Sequence, residues 1–193
     1  MNWAEIISSV LGLTCVVLAG RNSKNNFWVG YLYNLFLFLL FWKQKLFAAM
    51  VLQPVSLAIN AYGHYRWTHP GEHERASDDP GRLKVSHLGP REWSGLLLIA
   101  MVFGSVLGGF LSEKTADPSP WLDAYILMLT FLAQYLSAIK CWECWIVWMV
   151  VNVANMVLYL QSGLVMMPVV SGIYLANGIW SLITWKKLNK NGQ

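Results

Sequence analysis

Long apolar runs separated by short polar connections make up most of this chain. Seven runs can be drawn, at about 3–20, 26–43, 46–67, 93–112, 121–139, 143–160 and 164–185. Each is close to the roughly 20 residues that an α-helix needs to cross the hydrocarbon core of a bilayer. The pattern therefore predicts an all-α integral membrane protein with seven transmembrane helices.

One connection is much longer than the others and divides the chain. Residues 68–92 contain proline, glycine, aspartate, arginine and histidine, which is typical of a solvated loop. The organisation predicted from this division is a first three-helix repeat, a cytoplasmic loop, a linker helix, a second three-helix repeat and a basic C-terminal tail, at 1–67, 68–92, 93–112, 121–185 and 186–193.

The two groups of three segments resemble each other at a constant offset. A shift of 118 residues, without a gap, pairs Trp3 with Trp121, Gly30 with Trp148, Asn34 with Asn152, Tyr62 with Trp180, and Trp67 with Trp185. With one helix between the groups, the second group enters the membrane from the same side as the first. The sequence therefore predicts a 3+1+3 arrangement of parallel repeats, related by an axis along the membrane normal.

Composition supports a membrane protein, and charge indicates its orientation. The chain is 56% hydrophobic and 12% charged, whereas roughly a quarter of the residues of a soluble domain are charged. With the N-terminus outside, eleven basic residues fall on the cytoplasmic side, namely Arg21, Lys24, Arg66, Arg75, Arg82, Lys84, Arg91, Lys140, Lys186, Lys187 and Lys190. Only Lys43, Lys45 and Lys114 fall outside. The positive-inside rule thus predicts N-out and C-in, and the net charge of +4 gives no reason to expect a nucleic-acid partner.

The stretch Trp142–Tyr159 carries the clearest candidate chemistry. Trp145, Trp148, Asn152 and Asn155 lie at i, i+3, i+7 and i+10, so they share one face of a helix. Amides inside a bilayer are costly unless they meet a partner or a polar cavity. We interpret this face as one wall of a binding site for a flat, polar molecule.

Further polar side chains fall at about the depth of this wall. They are Asn34, Gln53, Asn60, Gln134, Tyr174 and Asn177. Transporters place substrate sites at the midplane between repeats, but Asn and Gln also bridge membrane helices without any ligand. The tryptophans likewise have an alternative as interfacial belt residues, for which Trp67, Trp121, Trp142 and Trp185 are the better candidates.

The sequence offers no catalytic or cofactor motif. There is no G-x-S-x-G, Walker loop or H-E-x-x-H, and the C-x-x-C spacing of Cys141 and Cys144 lacks a second pair. We therefore predict a transporter with no enzymatic activity, no metal and no cofactor. A sugar or nucleoside uniporter and a non-transporting membrane scaffold remain as alternatives, and assembly into a homo-oligomer stays open.

Three stretches together resemble the PnuC family of bacterial vitamin transporters. They are Trp3-Ala-Glu5, residues 46–67 ending in NAYGHYRW, and residues 140–153 with W-x-x-W at Trp145 and Trp148 followed by Asn152. The resemblance implies a seven-helix fold similar to a SWEET transporter in the bacterial inner membrane, with the W-x-x-W tryptophans at the substrate site. It also implies facilitated diffusion of a non-phosphorylated vitamin that a separate cytosolic kinase then traps.

Among the family's substrates, two indoles favour a cationic aromatic ring. Nicotinamide riboside and thiamine both carry one, whereas riboflavin does not. Amide side chains suit the carboxamide and ribose of the first and the aminopyrimidine of the second almost equally. The chain departs from the family's usual Tyr-Gly-Trp in the third segment, where it has Tyr62-Gly63-His64. The sequence alone therefore leaves the choice between the two vitamins open.

Overall fold

The described part of the chain is folded into seven α-helices. A computed structural model describes residues 3–43, 47–115, 118–161 and 166–192. The helices are α1 (Trp3–Gly20), α2 (Asn25–Lys43), α3 (Phe47–Thr68), α4 (Pro90–Lys114), α5 (Pro120–Ala138), α6 (Cys144–Gln161) and α7 (Met166–Lys190). The all-α prediction and the number of helices are confirmed.

Two helices extend beyond the predicted segments for local reasons. Helix α4 begins at Pro90, where proline suits the first helical position, and the Glu92 carboxylate accepts a hydrogen bond from the Gly89 N–H at 3.0 Å. Helix α7 continues to Lys190, and its last turn holds Lys187 and Lys190, which suit the negative end of the helix dipole. The predicted basic tail is therefore partly helical.

Four of the described helices are long and apolar enough to cross a membrane by length and composition. They are Pro90–Lys114, Pro120–Ala138, Cys144–Gln161 and Met167–Lys190, and Ile6–Gly20 is a shorter apolar helix. Helix α2 contains three Asn, two Tyr and two Trp, and α3 contains Gln53, His64 and Arg66, and these polar residues lower the hydropathy of the two helices. Large apolar side chains face outward, for example Leu98, Phe103 and Val106 of α4, and these suit contact with lipid.

Six helices form a closed ring, and the seventh lies outside it. Around the ring α1 contacts α2, α2 contacts α3, α3 contacts α5, α5 contacts α6, α6 contacts α7 and α7 contacts α1, whereas α4 packs on α5. Glycines allow this close approach of α4. A Cβ added to Gly104 would lie 2.6 Å from the Tyr125 ring, and one added to Gly108 would lie 2.7 Å from the Trp121 ring.

The connections that follow α1 and α5 have the same backbone geometry. Asn22 and Lys140, 118 residues apart, have φ values of 59° and 61°. The N–H of Ser23 donates to Leu18 O at 3.0 Å, and the N–H of Cys141 donates to Leu136 O at 2.9 Å. Both are helix ends in which a left-handed residue closes a six-residue hydrogen-bonded loop. The offset found in the sequence thus recurs in the backbone.

The long connection packs under one end of the ring. Residues 77–81 are exposed as predicted, but Leu83 and Val85 are only 2% exposed, so a loop that is solvated throughout is wrong. The alternation Leu83-Lys84-Val85 turns two apolar side chains toward the helices. Isolated pairs of β-type backbone hydrogen bonding join Arg75 to Leu83 and Ser86 to Cys141. We call this end, with connections 21–24, 69–89 and 139–143, the loop end.

Lys140 fixes this connection to the ring. Its ammonium is fully buried, donates a hydrogen bond to Leu83 O and lies 4.7 Å from the centre of the Trp67 ring. Burial removes the ammonium from water, and Arg82 and Lys24 add repulsion, which together lower the pKa of Lys140 to about 7. Nearby, the Leu88 N–H donates to the Glu143 carboxylate at 2.9 Å.

Candidate substrate site

A cavity of about 460 Å³ lies inside the ring, lined by all six of its helices. Nine of the ten residues predicted for the site line it, namely Asn34, Gln53, Asn60, Gln134, Trp145, Trp148, Asn152, Asn155 and Tyr174. The tenth, Asn177, does not, although its neighbour Gly178 does. These nine side chains come from five helices, and the fold brings them together on one cavity as their helical spacing and depth predicted.

Two asparagines of the cavity lining, one in α2 and one in α6, have the same bonding. The Asn34 side-chain N–H donates to Gly30 O at 2.8 Å, and the Asn152 side-chain N–H donates to Trp148 O at 2.8 Å. Each bond to the preceding turn holds the side chain in one orientation. It uses one of the two amide N–H groups, and the amide can offer the other N–H and its oxygen to a ligand.

Trp145, Trp148, Asn152 and Asn155 line the cavity from α6, and we call them the α6 wall. Its two tryptophans differ in how deeply they are buried. Trp148 is half-buried, lines the cavity, and donates its indole N–H to the Ser137 hydroxyl at 3.4 Å. Trp145 is only 1% exposed and packs edge-on against Trp185, with ring centroids 5.4 Å apart. Trp148 is therefore the better placed of the two to stack on a ligand, and Trp145 belongs to the floor of the cavity.

Below the cavity, at the loop end, aromatic rings form a closed floor. Trp67 meets Phe27 edge-on at 5.0 Å and lies 5.7 Å from Trp185, which in turn contacts Trp145. Trp67 and Trp185 are 2% and 0% exposed, so their interpretation as belt residues is wrong. Trp67 near the end of α3 and Trp185 within the last two turns of α7 meet at this end of the ring.

The other two belt candidates lie at the surface. Trp121 is 48% exposed, and Trp142 lies beneath the Lys186 ammonium, 4.2 Å from its ring centre. An exposed indole and an indole paired with a cation both suit the border between lipid and water.

Asn60 serves the packing of the wall opposite α6. Its amide N–H donates to Phe27 O at 3.0 Å, which joins α3 to α2. A Cβ added to Gly30 would lie 2.7 Å from the Asn60 amide oxygen, so glycine at this position makes room for the amide. Asn60 therefore bridges two helices, which is the alternative role that the sequence analysis gave to the amides. It also borders the cavity.

At the end of the cavity away from the floor, two tyrosines converge on α1. A Cβ added to Gly12 would lie 2.5 Å from the Tyr174 hydroxyl and 3.5 Å from the Tyr33 ring. Tyr33 was not among the predicted site residues. The neighbouring Asn34 was, but a residue one position away on a helix points about 100° off, so helical spacing gave no reason to include Tyr33.

Ser137, Thr130 and Cys15 also line the cavity without having been predicted. The Cys15 thiol donates to Asn26 O at 3.3 Å. These side chains are small and common in membrane helices, so their sequence positions carried little signal. Among the residues that the structure describes, the lining contains no Asp, Glu, Lys, Arg or His.

The described lining therefore offers a ligand no ionised side chain. Within the described ranges, no cluster of His, Cys, Asp and Glu could hold a metal ion. Cys141 hydrogen-bonds the Ser86 hydroxyl at 3.2 Å, and burial raises the pKa of its thiol to about 11. What the cavity offers is amides, hydroxyls and the faces of aromatic rings, which bind neutral polar groups and soft cations.

Comparison with known proteins agrees with this chemistry. The family described as nicotinamide mononucleotide transporter matches residues 2–187. The riboflavin/roseoflavin transporter RibM of Streptomyces davaonensis is 28% identical over 185 residues, covering 95% of this chain and 84% of that protein. The nicotinamide riboside transporter PnuC of Escherichia coli K12 is 26% identical, covering 86% of this chain and 78% of that protein.

A solved structure shows the same fold. The crystal structure of the vitamin B3 transporter PnuC superposes with a TM-score of 0.75 at 23% identity, over 99% of this chain and 83% of the other. The match to the family over nearly the whole chain confirms the resemblance drawn from the three sequence stretches. The chain belongs to the PnuC family and is a multi-pass, inner-membrane transporter of the vitamin-uptake type.

Proposed function

We propose that this protein takes up nicotinamide riboside, a cationic aromatic nucleoside, through the cavity inside the ring. The observation that carries the proposal is the α6 wall, where Trp148 stands one helical turn from Asn152 in a cavity without charged residues. An indole face attracts a cationic ring by its quadrupole, and amides pair with a carboxamide and hydroxyls. A volume of about 460 Å³ falls in the usual range for small-molecule sites.

Two other vitamins, thiamine and riboflavin, are weighed against nicotinamide riboside as substrates. Thiamine carries a cationic thiazolium and would use the same indole face, so it is the second candidate. Riboflavin, which RibM is named for, has a neutral ring system that gains nothing from a cation–π contact. The names of the PnuC relatives support nicotinamide riboside over both.

We further propose facilitated diffusion followed by trapping in the cytosol. The part of the cavity lining that the structure describes holds no Asp, Glu, Lys, Arg or His that could carry a coupling proton. Without coupling, the protein can only equilibrate the vitamin across the membrane. A separate kinase that phosphorylates the vitamin would then keep it inside.

The proposed orientation is N-out and C-in, with two parallel repeats around the cavity. The excess of basic residues at the loop end supports the orientation. Three matching features support the repeats: the left-handed residues Asn22 and Lys140, the bonds of Asn34 and Asn152, and a ring of contacts that maps onto itself when α1, α2 and α3 replace α5, α6 and α7. Helix α4 is the linker in this arrangement.

Uptake into proteoliposomes tests the proposal. Purified protein should carry labelled nicotinamide riboside to equal concentrations inside and outside, and unlabelled nicotinamide riboside should compete better than thiamine or riboflavin. Imposed proton or sodium gradients should leave the final level unchanged. Accumulation above the outside concentration would contradict facilitated diffusion, and preference for another vitamin would contradict the substrate.

A further inference from the structure

The ring contains two seams that correspond to each other under the 118-residue offset. One is the contact of α3 with α5, and the other is the contact of α7 with α1. At the loop end, glycine allows both helix pairs to approach closely. A Cβ added to Gly63 would lie 3.0 Å from Ala138, and a Cβ added to Gly20 would lie 2.2 Å from the Ser181 hydroxyl. The seams are equivalent in position, so a difference in bonding between them is informative.

The α3–α5 seam is closed by specific bonds. The Trp67 indole N–H donates to Ser137 O at 3.1 Å, across the two helices. Lys140, directly after α5, lies over the Trp67 ring and donates to Leu83 O of the long connection. The connection 69–89 therefore holds the α3–α5 seam closed at the loop end.

At the loop end of the α7–α1 seam, by contrast, four polar groups of the described residues have no partner. Asn177, Ser181 and Trp185 recur at every fourth position of α7, and the side-chain Nδ2, Oγ and Nε1 atoms are buried with no partner in the described part of the chain. Ser181 and Trp185 are both 0% exposed. Asn22, which follows α1 at the same end, is 8% exposed, and both polar atoms of its amide are also without a described partner.

Trp67 and Trp185 make the contrast most direct. The two indoles are equivalent by the offset and both buried, yet the N–H of Trp67 is bonded and the N–H of Trp185 is not. Burying a polar group without a partner costs free energy, and such groups are rare in folded proteins. Ser181 lies against Gly20 of α1, and Asn177 and Trp185 lie one turn to either side of it on α7, so these unpartnered groups beside the seam indicate a contact that is closed here but wet in another state of the molecule.

We infer that the α7–α1 seam opens at the loop end to release the substrate, while the α3–α5 seam stays closed. In the open state Asn177, Ser181 and Trp185 border a polar path from Gly178, on the cavity wall, to the loop end. Their free groups then bind water and the hydroxyls or carboxamide of the departing vitamin. The identity of the released molecule rests on the proposed function. The choice of the α7–α1 seam as the one that opens rests only on the unpartnered groups.

Paired spin labels at the loop end test which seam moves. The offset supplies a matched pair of variants, Arg21→Cys with Lys186→Cys across α1 and α7, and Thr68→Cys with Ile139→Cys across α5 and α3. The native Cys15, Cys141 and Cys144 are first replaced by alanine. All four labelled positions lie outside the cavity lining.

Electron paramagnetic resonance should give two distances for the 21/186 pair, with populations that shift by at least twofold when nicotinamide riboside is added. The 68/139 pair should give one narrow distance that does not respond. A single narrow distance for 21/186, or a broader distribution for 68/139, would overturn the inference. Because the distributions without vitamin are informative in themselves, this result stands whichever vitamin the protein carries.

Cross-linking the same cysteine pairs links the motion to release. A short, reducible bis-thiosulfonate linker across 21/186 should lower nicotinamide riboside uptake at least tenfold, and reductant should restore it. The same linker across 68/139 should change uptake less than twofold. Equal inhibition by both linkers would contradict a single moving seam, whereas absence of nicotinamide riboside uptake by the unaltered protein would instead contradict the proposed function.

Discussion

Helices α2 and α6 occupy equivalent places in the ring, yet they contribute very different walls to the cavity. They share an asparagine with the same bond to the preceding turn, Asn34 in α2 and Asn152 in α6. Where α6 has Trp148, α2 has Gly30, and the space is taken by Asn60. The shared residue orients an amide on each side, and the difference provides an aromatic platform on one side only.

This difference explains how a symmetric frame can hold an asymmetric substrate. Two bulky indoles at equivalent positions would fill the cavity from both sides. With glycine on α2, a planar ring can lie against Trp148 while its polar substituents reach amides on both walls. On the proposed arrangement, the residues shared by the two repeats build the cavity, and departures such as Gly30 against Trp148 set its preference for a ligand.

The largest expected effect comes from filling the space beside Gly30. A Gly30→Ala change places a Cβ 2.7 Å from the Asn60 oxygen, so the amide must move, and we expect its bond to Phe27 O to break. We expect a loss of about 1–3 kcal/mol, seen as a thermal midpoint several degrees lower.

The matched control is Gly172→Ala in α7, where an added Cβ has nothing within 4 Å. Alanine there should leave the thermal midpoint unchanged or raise it slightly, since alanine favours a helix. Equal changes in the two variants would show that Gly30 is not needed for space.

The second-largest expected effect concerns Lys140 and Asn22, the two connection residues with positive φ, and is measured as the dependence of stability on pH. Folding lowers the pKa of Lys140 to about 7 from its usual 10.5, so the unfolded chain binds more protons between those values. Stability should therefore be lowest near and below pH 7 and should rise by on the order of 2 kcal/mol from pH 7 to pH 9.

Lys140→Asn is the natural control, because the equivalent residue is Asn22 and asparagine tolerates a positive φ. Thermal unfolding of this variant should show a smaller rise between pH 7 and pH 9. A rise as steep as that of the unaltered protein would assign the pH dependence to other groups.

The smallest effect compares the two asparagines. Asn152→Leu and Asn34→Leu each remove an amide from the cavity, and one net hydrogen bond is worth about 0.5–1.5 kcal/mol, or about two- to tenfold in affinity. Calorimetry should show a loss of this size for both, with the thermal midpoint nearly unchanged because leucine suits the membrane. A lower midpoint with unchanged affinity would instead identify these amides as packing residues.

Much of this arrangement was predictable from the sequence because helices impose a fixed spacing. The spacing of Trp148 and Asn152, and the depth of Gln134 and Asn155, sufficed to place them on one cavity. The apolar runs likewise gave the helices to within a few residues.

Spacing does not reveal which neighbour a helix face meets. Trp67 and Trp185 look like belt residues at the ends of their segments, but the convergence of α3 and α7 buries them. Asn177 was predicted at the depth of the site, but it lies outside the cavity lining. The burial of Leu83 and Val85 depends on the apolar cluster that also holds Trp67, and on the bond from Lys140 to Leu83 O, which only the folded ring supplies.

Calorimetric titration of nicotinamide riboside into wild type, Trp148→Ala and Trp121→Ala tests the central claim most directly. Loss of a stacking and cation–π partner, worth roughly 0.5–2 kcal/mol for each term, should weaken binding about tenfold or more in Trp148→Ala. Trp148→Phe, which keeps a ring, should lose less, and Trp121→Ala, at the exposed surface, should bind as wild type does. Wild-type affinity in a monodisperse Trp148→Ala protein would contradict the α6 wall as the substrate site.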